Sequence, residues 1–200
     1  MRAGYKKEQA PRRRKRVGDE ARDEGLAAAR DLLLTGGPGA VTLANVGRQI
    51  GMSHTNVIHH FGSAAGLQSA LMGKMIKDLT LALDELVTKI RSDSAAPTQI
   101  VEQVFDAFDK GGAGQLAAWI ALSGEKQHLA PVRDAVRELV AAFSERIPGY
   151  ETRIRSAVLM ISICAFGDAV IGEDIRAMLD EPDRAMRDIT TRLLGMFLIP

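Results

Sequence analysis

An all-α fold is the class this sequence predicts, and three observations predict it. Aromatic residues make up only 4% of a chain that is 46% hydrophobic, whereas sheets draw on aromatic and β-branched residues. Apolar residues recur at spacings of three and four along most of the chain, and no run alternates with a period of two. Glycines and prolines fall between the periodic segments, where they punctuate helices. With 200 residues, 26% of them charged, the composition is that of a globular chain of one or two domains.

The elements follow in order. Residues 1–17 are polar, basic and aperiodic, and read as a flexible arm. Asp19 and Glu20 open a helix with Leu26, Ala29 and Leu33 on its buried face, ended by Gly36-Gly37-Pro38-Gly39. Thr42 caps a short second helix buried through Leu43, Val46 and Ile50. Gly51 supplies the positive φ of a helix end, and Ser53 caps a third short helix with Val57 and Phe61 inside. After Gly62, Ser63 caps a long helix to Ile90, marked by Leu67, Leu71, Met75, Leu79, Leu83 and Leu86. Further helices are predicted at 97–110, 114–123, 131–147, 151–172 and 182–198, with Pro131 and Pro182 in first turns, where proline is tolerated.

Charge is distributed unevenly. Residues 1–67 hold eleven Lys and Arg against six Asp and Glu, and residues 68–200 hold fifteen against nineteen. Eight of the basic residues lie between Arg2 and Arg16. A basic front half on a mildly acidic body points to a polyanion-binding module joined to something else. The lone Cys164 excludes an internal disulfide and a cysteine zinc site. The most apolar run, Ala157–Ile171, has fifteen residues and contains Asp168. A bilayer span takes about 20 residues, so the run reads as a buried helix and no membrane is expected. Without an export signal in this sequence, a cytoplasmic location is the expectation.

Val41–Leu67 carries the chemistry. Two short helices joined by Gly51-Met52-Ser53 make a helix-turn-helix, whose second helix enters the major groove with its first residues on base edges. Here these are His54, Thr55 and Asn56. Asn pairs bidentately with adenine, His donates to guanine, and Thr55 and Ile58 meet a thymine methyl. The helix N-termini at Thr42 and Ser53 offer backbone N–H groups to phosphate. His59 faces outward beside them, and Arg13, Arg14 and Arg16 are read as phosphate contacts of the arm.

This segment resembles the TetR family of transcriptional repressors through Thr42, Val46, Ile50, Gly51, Met52, Ser53, Val57, His60, Phe61, Ser63 and Leu67, in continuous register. It departs from the family pattern at Thr55-Asn56, at Ile58-His59 in place of an aromatic pair, and at Ala64-Ala65 in place of Lys-Glu. The aromatic and the Lys commonly touch phosphate, so the basic arm and His59 are read as replacements. The resemblance implies an all-helical regulator with an N-terminal helix-turn-helix domain (residues 18–66) and a helical ligand-binding and dimerisation domain (67–200). It further implies a homodimer on double-stranded operator DNA, repressing until a small inducer binds in the body.

Within the body, Phe105, Phe108, Trp119 and Met160 are the candidate pocket residues. The inner faces carry few charges, so an apolar or aromatic inducer is expected. Helices 151–172 and 182–198 are the candidate dimer interface, through Val158, Ile161, Ala165, Met186, Ile189, Leu193 and Phe197. No metal or other cofactor is expected: His54 and His60 fall on divergent faces, and no carboxylate occurs in residues 32–77. The other readings are an orphan helical enzyme, for which no convergent Asp, Glu, His or Cys set exists, and a helical protein–protein adaptor with a basic tail.

Overall fold

The computed structural model describes residues 10–90, 92–124 and 128–198, with side chains from Gly18 to Phe197 within those ranges. Among the described residues there is no strand. The order is α1 (Ala10–Gly36), a 3-10 turn (Pro38–Ala40), α2 (Leu43–Gln49), α3 (His54–Phe61), α4 (Ala64–Lys89), α5 (Ala96–Phe108), α6 (Ala113–Ser123), α7 (Ala130–Arg146), α8 (Glu151–Gly167), a π turn (Asp168–Gly172), α9 (Glu173–Leu179) and α10 (Ala185–Leu198).

The first helix begins nine residues earlier than the sequence suggests. Residues 10–17, read as part of a flexible arm, continue the helix backbone of α1. Arginine and lysine are good helix formers, and lengthening an existing helix needs no new nucleus. Aperiodic polarity argues against burial, not against helix. Residues 1–9 lie outside the described residues.

Two apolar clusters hold the chain together, and α4 belongs to both. The first gathers Leu26, Ala29 and Leu33 of α1 with Val46, Val57 and Phe61, then takes in Leu67, Leu71 and Met75 of α4 and Ala113 and Leu116 of α6. The second joins Leu83 and Val87 of α4 to Val104, Phe105, Leu139, Phe143, Ile161, Ala165 and Leu194. At 26 residues, α4 is about 39 Å long, a single rod from the small N-terminal helices to the far end of the body.

Ion pairs fix the register of the body helices. Lys77 meets Glu138 at 2.9 Å, and Arg146 donates two 2.8 Å hydrogen bonds to Asp84, so α4 and α7 run parallel. Arg187 on α10 donates to Glu102 at 2.6 Å and Asp106 at 2.9 Å on α5, with its guanidinium 5.3 Å from the Phe105 ring centre. Burial alone would raise both carboxyls. Hydrogen bonds from Arg184 and Arg187 to Glu102, and from Arg187 and Lys110 to Asp106, outweigh it and hold both below the usual carboxylate range.

The C-terminal helices depart from expectation in two ways. The helix that starts at Glu151 does not stop at Gly172 but continues to Leu179 through the π turn. A side chain at 172 would meet the Asp168–Arg176 ion pair, with its Cβ 2.5 Å from the Asp168 carboxylate. Gly172 is therefore a packing glycine rather than a breaker. The chain turns at Asp180, φ +53°, and α10 starts at Ala185, so Pro182 lies in the connection instead of a first turn. Within one chain the apolar helix is buried on one side only. By length and composition Glu151–Leu179 is apolar enough to cross a bilayer, yet only 22% of its most apolar window is buried in the chain. Its inner face (Ile154, Ala157, Ile161, Ala165) is in the second cluster, while Leu159, Ile163, Val170, Ile171, Met178 and Leu179 face outward.

Candidate nucleic-acid interface and body cavity

The turn between α2 and α3 is built from a close backbone approach. Met52 N–H donates to the Gly47 carbonyl at 2.8 Å, and a Cβ on Gly47 would stand 2.8 Å from the Met52 oxygen. Gly51, φ +66°, takes the left-handed corner that a side chain would strain. Thr42 Oγ1 accepts from Asn45 N–H at 3.1 Å, and Ser53 Oγ accepts from Asn56 N–H at 3.3 Å, capping both helices as the sequence predicts. Asn45 then donates its side-chain amide to the Ala40 carbonyl at 2.9 Å, tying α2 to the 3-10 turn.

On α3, Val57 and Phe61 are buried, while His54, Thr55, Asn56, Ile58 and His59 are exposed with Ser53 at their head. The five predicted contact residues of this helix thus share its open side. Thr42 is half-buried. The backbone of Arg13, Arg14 and Arg16 lies in the first turns of α1, and their side chains are outside the described residues. His60 is half-buried, its ring edge-on to His59 with centroids 5.8 Å apart.

Arg22 is a residue that sequence reasoning missed. It donates to the His60 carbonyl and lays its guanidinium 4.8 Å from the Phe61 ring centre. A cation at a helix C-terminus satisfies a free carbonyl and favours the helix dipole. Its signal in the sequence was only a basic residue on a helix with no partner in view. Gln68 of α4 is buried and donates to the Val41 carbonyl at 3.2 Å, so α4 grips the strand of chain entering α2.

A cavity of about 870 Å³ occupies the body. Its wall follows α4 from Met72 to Ile90 and is completed by Ile100 and Val104 of α5, Ala117 and Ile120 of α6, Leu139 and Phe143 of α7, and Ile154 to Ser162 on α8. Of the four predicted pocket residues, only Phe108 lines it. Phe105 is fully buried in the second cluster, and Met160 packs against that cluster from outside the cavity wall. Trp119 is 46% exposed, and its ring faces the 3-10 turn, 3.8 Å from where a Cβ on Gly39 would be. Helical spacing identified apolar positions, but not which of two apolar sides faces empty space.

The predicted dimer residues also divide. Ile161 and Ala165 are buried in the chain's own core, Val158 and Met186 are half-buried, and Ile189, Leu193 and Phe197 are exposed.

Two short capped helices locked by a glycine-lined turn, with a row of polar and apolar side chains outward on the second, define a helix-turn-helix DNA-binding protein. Residues 26–71 match the family described as bacterial regulatory proteins, tetR family. The protein carries the DNA-binding domain of that family of transcriptional regulators. The crystal structure of the multidrug binding protein EbrR complexed with ethidium is similar over 90% of this chain and 98% of that chain, with a TM-score of 0.62 and 16% identity. The crystal structure of a tetR-family transcriptional regulator from Streptomyces coelicolor is similar over 90% of this chain and 79% of that chain, with a TM-score of 0.58 and 18% identity. At these identities the likeness is one of fold. No curated protein sequence matches the chain.

Proposed function

We propose that the protein is a cytoplasmic, ligand-responsive repressor that binds operator DNA as a homodimer. The observation that carries this reading is the open side of α3, where Ser53 to Asn56, Ile58 and His59 stand free above a rigidly packed turn. These residues read bases, the α2 and α3 N-termini receive phosphates, and the basic start of α1 adds affinity. Ligand response is supported by the cavity's position: Met72, Met75 and Ala117, which line it, also pack in or against the cluster that holds the DNA-binding helices.

A homodimer accounts for the outward apolar face of α8 to α10, where Ile163, Met178, Leu193 and Met196 are 36% to 79% exposed. A patch of this kind asks for a partner. A second copy covers it with the same helices in a two-fold four-helix bundle. A bilayer is the poorer match, since Glu173 and Asp174 are exposed on the same helix and intramembrane charge is costly.

The test is a gel shift against genomic fragments with a salt titration. A preferred fragment whose affinity falls steeply with salt supports the reading. Binding that shows neither preference nor salt dependence refutes it.

A further inference from the structure

We propose that the body cavity is a tunnel for a long-chain fatty carboxylate, its aliphatic chain lying along α4 and its carboxylate paired with Arg155. The proposal rests on the reading of the body as a ligand-responsive domain and names the chemistry of its ligand.

Shape is the first argument. The wall runs along α4 from Met72 to Ile90, about 27 Å of helix rise. The 870 Å³ are therefore spread along a helix rather than gathered in one chamber. A compact ring system fills a fraction of such a space; an extended hydrocarbon chain follows it.

The lining is the second argument. Methionine, leucine, isoleucine, valine and alanine make nearly all of it, and Phe108 and Phe143 supply the only rings among the lining residues. Flat aromatic ligands gain specifically from stacked or edge-on rings. Aliphatic walls offer them little of that, while every methylene of an acyl chain gains from burial.

Charge is the third. Arg30, Asp78 and Arg155 are the charged lining residues, and Asp78 is paired with Lys74. No lining carboxylate is left for a cationic ligand. Arg30 lines the cavity from α1 and is half-buried. Arg155 instead heads a stripe of α8 with Leu159 and Ser162, at i, i+4 and i+7, and no carboxylate lines the cavity from that helix. Glu151, one turn back, accepts from the Gly149 N–H at 3.0 Å. Backbone hydrogen bonds, helped by the nearby charge of Arg155, hold its carboxyl below the usual range, so a ligand carboxylate shares Arg155 with an exposed, already hydrogen-bonded partner. Arg155 is exposed, so a carboxylate held there stays hydrated while its chain is buried.

Calorimetry on the full chain without DNA tests this, using dodecanoate, hexadecanoate, hexadecanol and ethidium below their aggregation concentrations. Affinity should rise about fourfold per methylene between the two carboxylates, and ethidium should bind more weakly than hexadecanoate. Arg155→Gln should weaken hexadecanoate about fivefold and leave hexadecanol unchanged, which also shows that the variant is folded. Tighter binding of ethidium, no dependence on chain length, equal loss of acid and alcohol, or a loss at Arg30→Gln with none at Arg155→Gln each overturns the proposal. Operator release is read separately. Hexadecanoate that binds without affecting DNA leaves the tunnel standing and refutes the ligand-responsive reading; a chain that binds DNA but no hexadecanoate refutes the tunnel alone.

Discussion

Gly47→Ala should damage the DNA-binding unit without touching a DNA-facing side chain. The added methyl would stand 2.8 Å from the Met52 carbonyl oxygen and 3.4 Å from Val57 Cγ2. The oxygen is backbone and is held by the hydrogen bond from Met52 N–H to Gly47, so neither atom yields alone. Relief requires the turn to move outward, and with it the start of α3. Overpacking of this kind costs about 1–3 kcal/mol, and alanine returns up to about 1 kcal/mol in helix propensity. With the full return the net loss reaches about 2 kcal/mol, or a fall in Tm of up to roughly 8 °C for a chain of this size. Operator affinity should fall with it, because Ser53 to Asn56 ride on the displaced turn. Thermal denaturation and a gel shift on the same preparation read both quantities. An unchanged or raised Tm with wild-type affinity would refute the claim that this contact sets the angle of α3.

Gly18→Ala is the counterpart: nothing lies within 4 Å of the new methyl, so it should stabilise α1 by up to about 1 kcal/mol, seen as a higher Tm; no gain would mean that α1 is not helical there. Glu102 and Asp106 have lowered pKa values in the folded chain, so the unfolded chain binds more protons in acid. Their contribution is complete above the ordinary carboxylate range and is lost as pH falls through the lowered values. Arg187→Met should flatten that acid limb in urea titrations at stepped pH. Leu193→Glu should place charge in the α8–α10 bundle and shift the protein towards monomer by sedimentation; a wild-type chain that stays at 21.6 kDa at micromolar concentration excludes the homodimer.

The sequence exposed most of what is local. Thr42, Ser53 and Ser63 cap the helices they precede, because capping is a short-range hydrogen bond written in residue type. The open side of α3 followed from two buried positions, Val57 and Phe61. What stayed hidden depends on distant partners. Trp119 reads as a pocket aromatic until α6 is seen to turn it towards the 3-10 turn. Ile161 and Ala165 read as interface until Leu194 and Val104 are found in the same cluster. The tunnel was legible as an apolar body with few inner charges, but its walls come from seven helices whose facing sides only the packing decides.

The central claim, that α3 reads DNA sequence, is tested most directly by Asn56→Ala on a selected operator and on random DNA. The side chain is exposed, and only its backbone N–H serves the Ser53 cap, so the fold should survive. The account predicts a loss of about 1–3 kcal/mol on the operator, relaxed preference at one base position, and little change on random DNA. Equal loss on both would contradict it.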